Sequence, residues 1–359
     1  MVYRTVNHQP SAIIPLSIIS LVVTVGLCLT APVIGYAEPE TTFPFAYNTS
    51  VAQMMGAVQS SDVSNYGGYL SGQFPVTVGG LSVTLTSRNL YDPHLAQATQ
   101  YVFEFMQARG LSVRYDPWNN FGASGRNIVG VITGTLYPEQ VVLITAHLDD
   151  MPETGIAPGA DDNASGSVGV MLAAARLAGH KFSRTLRFIF FTGEEYDENG
   201  SYAYAQAALA QNEKLVAVFN MDMIGWDGNK DGVIYLETRV ASDPGYADDL
   251  AITTVFTRVV NTYGLQTALH PNVDAISDHY VDSWSFWRIG YPSVTAIEDW
   301  DEGHPYYHTG NDTLSTLNLT FFTNFVKASV GTAAHLAMPM DNKIYLPLIL
   351  KSLGYKGAR

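Results

Sequence analysis

The chain has 359 residues, 47% hydrophobic and 14% charged, which excludes a disordered chain and suffices for one large domain or two small ones. Its formal net charge is −14, with 19 Lys and Arg against 33 Asp and Glu and no basic cluster, so nucleic-acid binding is excluded. No internal repeat or low-complexity tract interrupts it.

The first 37 residues carry a single Lys or Arg, Arg4, and no acidic residue, and Ile13 to Ile34 is almost wholly apolar. Gly35-Tyr36-Ala37 offers small residues at signal-peptidase spacing. The segment therefore reads as a signal peptide cleaved before Glu38, and the mature protein as secreted or extracytoplasmic. The alternative is an uncleaved N-terminal membrane anchor, because the run is also long enough to span a bilayer. Val25-Gly26-Leu27-Cys28 matches a lipoprotein box weakly, since the residue before the cysteine is large. Cys28 is the sole cysteine, so the mature chain is expected to use neither thiol catalysis, nor cysteine metal ligands, nor disulfides.

Residues 38–90 form a lead-in rich in Ser, Gly, Thr and Tyr, with a helix expected over Val51 to Ser60 and strands over Val76 to Thr86. A catalytic domain is expected over 91–340. It opens with a helix over Ala96 to Arg109, ended by Gly110. Buried strands follow at Ile128 to Ile132 and Val141 to Ala146, then a helix over Ser165 to Ala178 and a strand over Leu186 to Phe191. A helix (Tyr202 to Gln211), a strand (Val216 to Asn220), a helix (Ala247 to Tyr263), a strand (Val294 to Ile297) and a closing helix (Phe321 to Ala337) complete it. This alternation predicts an α/β sandwich with a largely parallel sheet. The tail, 341–359, contains an apolar run, Ile344 to Leu350, in which Pro347 argues against a central strand.

Ionisable residues gather just past the strand ends. His147 follows one strand, Glu194 and Glu195 another, and Asp222 a third, where open α/β sheets bind ligands. Five stretches carry such residues: ITAHLDD (144–150), APGADDNASG (157–166), FFTGEEYDENGS (190–201), NMDMIGWD (220–227) and HPYYHTGNDT (304–313). Taken singly, each fits a cap or a turn. Together, imidazole and carboxylate among small and apolar neighbours are the ligand set of zinc where no thiol is available.

With those five stretches in this order, the chain resembles the secreted bacterial di-zinc aminopeptidases of metallopeptidase family 28, from about Ser87 to His335. The resemblance implies an α/β three-layer sandwich with a mixed, mostly parallel central sheet flanked by helices. It implies two zinc ions: Asp162 bridging both, His147 and Asp222 completing one, and Glu195 and His308 the other. Glu194 would be the general base, taking a proton from water and returning it to the leaving amine. Asp149 would orient His147 from behind, and the Asp162–Asn163 peptide bond would be cis. The substrate would be a peptide with a free N-terminus, and a cleaved signal would leave no stable membrane association. A carboxypeptidase or dipeptidase on the same centre, or an inactive binding module of the same fold, remain alternatives.

The mature chain lacks a disulfide that some members of the family have near the site. Ser277-Asp278-His279 matches a family motif, but no tyrosine stands just upstream, which leaves Tyr280, Tyr306 or Tyr307 as substitutes. Asp227-Gly228-Asn229-Lys230-Asp231-Gly232 resembles the start of an EF-hand calcium loop. It fails at position 12, which is Thr238 with Glu237 one residue early, so a Ca2+ site at Asp227, Asn229 and Asp231 competes with a polar turn.

Overall fold

The apolar runs become strands of one sheet, and the amphipathic segments between them become its covering helices. The structure, a computed structural model, describes residues 43–152, 155–276 and 280–340. In chain order the elements are α1 (Thr49–Gly56), α2 (Ser60–Leu70), β1 (Val76–Val78), β2 (Leu81–Val83), α3 (Pro93–Gln107), β3 (Ser112–Asn120), β4 (Ala123–Ile132), β5 (Tyr137–His147) and α4 (Ala164–Leu177). Then come β6 (Arg184–Phe191), α5 (Asn199–Ala210), β7 (Lys214–Met221), β8 (Val233–Thr238), α6 (Tyr246–Thr262), β9 (His270–Ala275), α7 (Asp282–Trp287), β10 (Ser293–Glu298) and α8 (Leu319–Leu336). The expected signal segment, the tail and the Ser277-Asp278-His279 motif lie outside the described residues. Among the described residues no helix is long and apolar enough to cross a membrane.

The main sheet runs β3-β4-β6-β5-β7-β10-β8-β9. Its centre, β6-β5-β7-β10, is parallel. Antiparallel joins flank that centre, β4 on β6 and β3 on β4 at one side and β8 on β10 at the other, with β9 parallel to β8. The sheet is mixed, as expected. Along β5 every residue from Val141 to His147 is buried, as a strand covered on both faces must be. Val142, Ile144 and Ala146 point into the larger core with α1, α2, α3, α4, α6 and α8, whereas Val141 and Leu143 point into a smaller one with α5 and Phe286 of α7. Alternation along a strand thus produces three layers from one sequence run.

Residues 43–90 are not a detachable lead. Val51, Met54 and Met55 of α1 and Val63 and Leu70 of α2 belong to the same core as α4 and α8. The helix expected over Val51 to Ser60 is two helices that meet at residues 57–59. Asn48 caps the first by accepting from Val51 N at 3.1 Å.

Arg88 joins this segment to the sheet edge. Its side chain is fully buried and donates through Nε to Leu148 O (2.7 Å), Nη1 to Leu70 O (2.6 Å) and Pro158 O (2.8 Å), and Nη2 to Gly159 O (2.9 Å). Its Nη1 also lies 3.6 Å from Asp150 Oδ2. One planar fork therefore ties the end of α2, the residues after β5 and the loop before α4. Arg88→Met would leave Asp150 buried without its cation and several carbonyls without donors. The expected loss is about 3–5 kcal/mol in denaturant unfolding, and a loss below about 1 kcal/mol would contradict the clamp.

Burial pushes the His335 ring at the end of α8 down to about 4. The fold therefore favours the neutral ring. Its contribution is complete above the ordinary value near 6.5 and is lost as pH falls through about 4. Wild type should lose on the order of 2 kcal/mol more than His335→Gln between pH 6.5 and 4, measured by denaturant unfolding.

Candidate metal centre

His147 is the last residue of β5, Glu194 and Glu195 lie just past β6, and Asp222 follows β7 directly. Asp162 lies in the loop before α4 and His308 in the loop between β10 and α8. The parallel part of the sheet thus delivers three groups to its C-terminal edge, and two loops fold over to supply the rest. Local packing holds them there. Asn163 caps α4, accepting from Gly166 N at 2.7 Å while its Nδ2 donates to Met221 O at 3.0 Å. A Cβ on Gly166 would collide with Met221 O, so only glycine lets α4 come this close to β7. Ser167 Oγ donates to His147 O at 2.8 Å. The Asp162–Asn163 peptide bond is cis, and His308 adopts a left-handed conformation with φ 56°.

All five residues implied as ligands converge. His147 Nε2 lies 3.4 Å from Asp162 Oδ1 and 3.2 Å from Asp222 Oδ1. His308 Nε2 lies 3.1 Å from Asp162 Oδ2 and 3.0 Å from Glu195 Oε2. The two oxygens of Asp162 therefore face two different histidines. Glu194 Oε2 stands 3.9 Å from His147 Nε2. Single ligand atoms from His147, Asp162 and Glu195 lie within 4.8 Å of one another, as do those from His147, Glu194 and Asp222.

The donor set fits a divalent cation. His308 Nε2 sits close to two carboxylate oxygens yet is aligned with neither as a hydrogen bond, and Glu195 Oε1 is buried without a partner. At His308 and Glu195 atoms converge without bonding one another, as a shared ion requires, whereas His147 Nε2 and Asp222 Oδ1 are within hydrogen-bond distance at 3.2 Å. The charges reflect the crowding. Burial, then the Asp162 charge, pushes Glu195 up to about 8. Burial also drives Glu194 well above the carboxylate range. Burial would lower His308, but the facing Asp162 and Glu195 carboxylates raise it to about 10.

Asp149 differs from expectation. The ring of His147 points Nδ1 at the Asp149 backbone carbonyl (3.1 Å), and the carboxylate stands farther off at 3.9 Å. That carboxylate instead accepts from Glu194 N at 3.4 Å, linking the His147 and Glu194 loops, and burial raises it to about 6. Of the candidate tyrosines, Tyr307 stacks on His308 with ring centroids 3.7 Å apart, Tyr306 packs edge-on against Trp226, and Tyr280 is exposed.

Asp227 and Asp231 do approach a third carboxylate, but it is Glu302 and not Glu237. Backbone amides already occupy all three: Gly232 N on Asp227, Val233 N on Asp231, and Gly228 N and Asn229 N on Glu302. Asn229 bonds Asp231 within the turn. These bonds account for a polar turn.

Asp312 has a part that its place in HTGNDT did not reveal. Its buried carboxylate accepts from Asp161 N (2.9 and 3.2 Å) and Asp162 N (3.1 Å), and so holds the backbone on which Asp162 stands.

The family model for peptidase family M28 matches residues 127–333. Leucine aminopeptidase 1 of Blastomyces gilchristii (strain SLH14081) is 30% identical over 234 residues, 62% of this chain and 57% of that protein. The chain thus spans little more than half the length of that relative. Leucine aminopeptidase 1 of Trichophyton rubrum is 28% identical over 84% of this chain and 81% of its own length. The fold matches the crystal structure of Legionella pneumophila LapA aminopeptidase with a TM-score of 0.68 at 21% identity, covering 84% of this chain and 76% of that one.

Asp312→Ala would strand two buried amides. The expected cost is about 2–4 kcal/mol in thermal or denaturant unfolding, with zinc affinity weakened about 10–100-fold in chelator competition. Unchanged zinc affinity would contradict the role given to Asp312.

Proposed function

Because the chain belongs to peptidase family M28, we propose that it is a zinc-dependent aminopeptidase that removes N-terminal residues from peptides. One observation carries the reading: the two carboxylate oxygens of Asp162 address His147 and His308 separately, with Glu194 beside them and outside both pairs. Asp162 would bridge two zinc ions, His147 and Asp222 completing one set and Glu195 and His308 the other. Zinc, when bound, supplies Lewis acidity toward the scissile carbonyl and lowers the pKa of water.

The chain's own groups do the rest. Glu194, held by its backbone N–H on Asp149, takes a proton from the attacking water on its carboxylate. The hydroxyl adds to the carbonyl carbon, the C–N bond breaks, and Glu194 returns the proton to the leaving amine nitrogen. The acidic crevice attracts the substrate's free ammonium group. Trp300 lies edge-on to Tyr307, which stacks on His308, and both are partly exposed. These rings, and the leucine aminopeptidases among the relatives, support an apolar first residue. The apolar segment over Ile13 to Ile34 supports export, and an exported chain would act outside the cytoplasm.

The test is hydrolysis of a leucyl anilide with a free amine beside its N-acetylated twin. Cleavage of only the free-amine substrate, lost with chelator and restored by zinc, is expected. Glu194→Gln should lower kcat by about 10²–10⁴-fold with metal content unchanged. Failure of the zinc-loaded protein to cleave either substrate would turn the reading toward a carboxypeptidase or dipeptidase.

A further inference from the structure

Asp161 and Asp162 are consecutive but face different groups. Asp162 addresses His147 and His308, whereas Asp161 meets Glu298, the last residue of β10, and His304 from the following loop. One ligand atom from each of these three lies within 4.8 Å of the others. The side chains of Asp161 and His304 are 0% and 1% exposed, and Glu298 is equally buried.

Each carboxylate has one oxygen held by a backbone amide and one turned into the cluster, where the two acids stand close enough to share a proton. Asp161 Oδ1 accepts from Gly225 N at 2.9 Å, and its Oδ2 has no hydrogen-bond partner. Glu298 Oε2 accepts from Trp226 N at 2.7 Å, and its Oε1 has none. Neither ring nitrogen of His304 has a partner, although Nε2 lies 3.4 Å from Asp161 Oδ2. The indole of Trp226 meets the His304 ring edge-on at 4.8 Å.

An oriented carboxylate with one backbone-held oxygen and one open oxygen is the arrangement of a metal ligand with its outer support. A proton shared between Asp161 and Glu298 would ease their repulsion, but it would leave a buried imidazole with two dry nitrogens. A divalent cation would neutralise both carboxylates and occupy the imidazole at once. Two carboxylates and one imidazole suit zinc or manganese, not calcium.

We propose that Asp161, Glu298 and His304 bind a structural divalent cation of the zinc or manganese class, additional to the pair at Asp162. The site joins the Asp162 loop to the loop that carries His308, so it braces two of the groups on which the candidate centre depends. The proposal goes beyond the aminopeptidase reading and does not rest on it.

The test is metal content per folded chain, by elemental analysis of full-length protein from zinc- and manganese-supplemented cultures after buffer exchange. Four proteins are compared: wild type, Glu298→Gln, His304→Gln and Asp222→Asn. Glu298→Gln is isosteric and can still accept from Trp226 N. It and His304→Gln should each carry about one metal equivalent less than wild type. If Glu298→Gln does not fold, His304→Gln carries the comparison, because its side chain comes from a loop. Folded variants with the wild-type metal count would overturn the site. Loss of metal from Asp222→Asn alone would overturn it while leaving the aminopeptidase reading intact. Loss from the other two variants alone would uphold it and count against the zinc pair.

Discussion

Carboxylates crowd the dry edge of the parallel sheet faster than cations do. Asp162, Glu194, Glu195 and Asp222 meet within reach of two histidines, and the Arg88 guanidinium is spent on Asp150 and on carbonyls. Burying several like charges costs more than hydrogen bonds return, unless opposite charge joins them. The surrounding side chains do little to neutralise this charge. Asp312, Asn163 and Ser167 hold backbone, and they fix where the charges stand.

Rigid placement follows from what each group is mounted on. His147 and Asp222 sit at the ends of adjacent strands in the most buried part of the sheet. Asp162 and His308 come from loops, and loops need ties. For Asp162 these are the Asp312 carboxylate on its amide and the Arg88 fork on Pro158 and Gly159. Arg88 lies ahead of the family match, so the segment before it takes part in shaping the centre.

The central architecture was legible because buried parallel strands are continuous apolar runs, and β5, β6 and β7 read as such. Their ends marked His147, Glu194, Glu195 and Asp222 without any fold in hand. The edges were not legible. β3 carries Pro117 and three asparagine or aspartate residues, and β9 is mostly exposed, so neither shows an apolar period. α2 contains Gly67 and Gly68, which lower helix propensity and hid a helix that α8 stabilises by packing. Arg88, Glu298 and His304 were invisible for another reason: their roles depend on partners sixty or more residues away or on burial that no local pattern announces.

The central claim is that Asp162 is shared between two metal ions. Diffraction data from zinc-loaded crystals on either side of the zinc absorption edge test it most directly. The account predicts two anomalous peaks flanking the Asp162 carboxylate, one against His147 and Asp222 and the other against Glu195 and His308. A single peak, or peaks that leave Asp162 contacting only one ion, would contradict it.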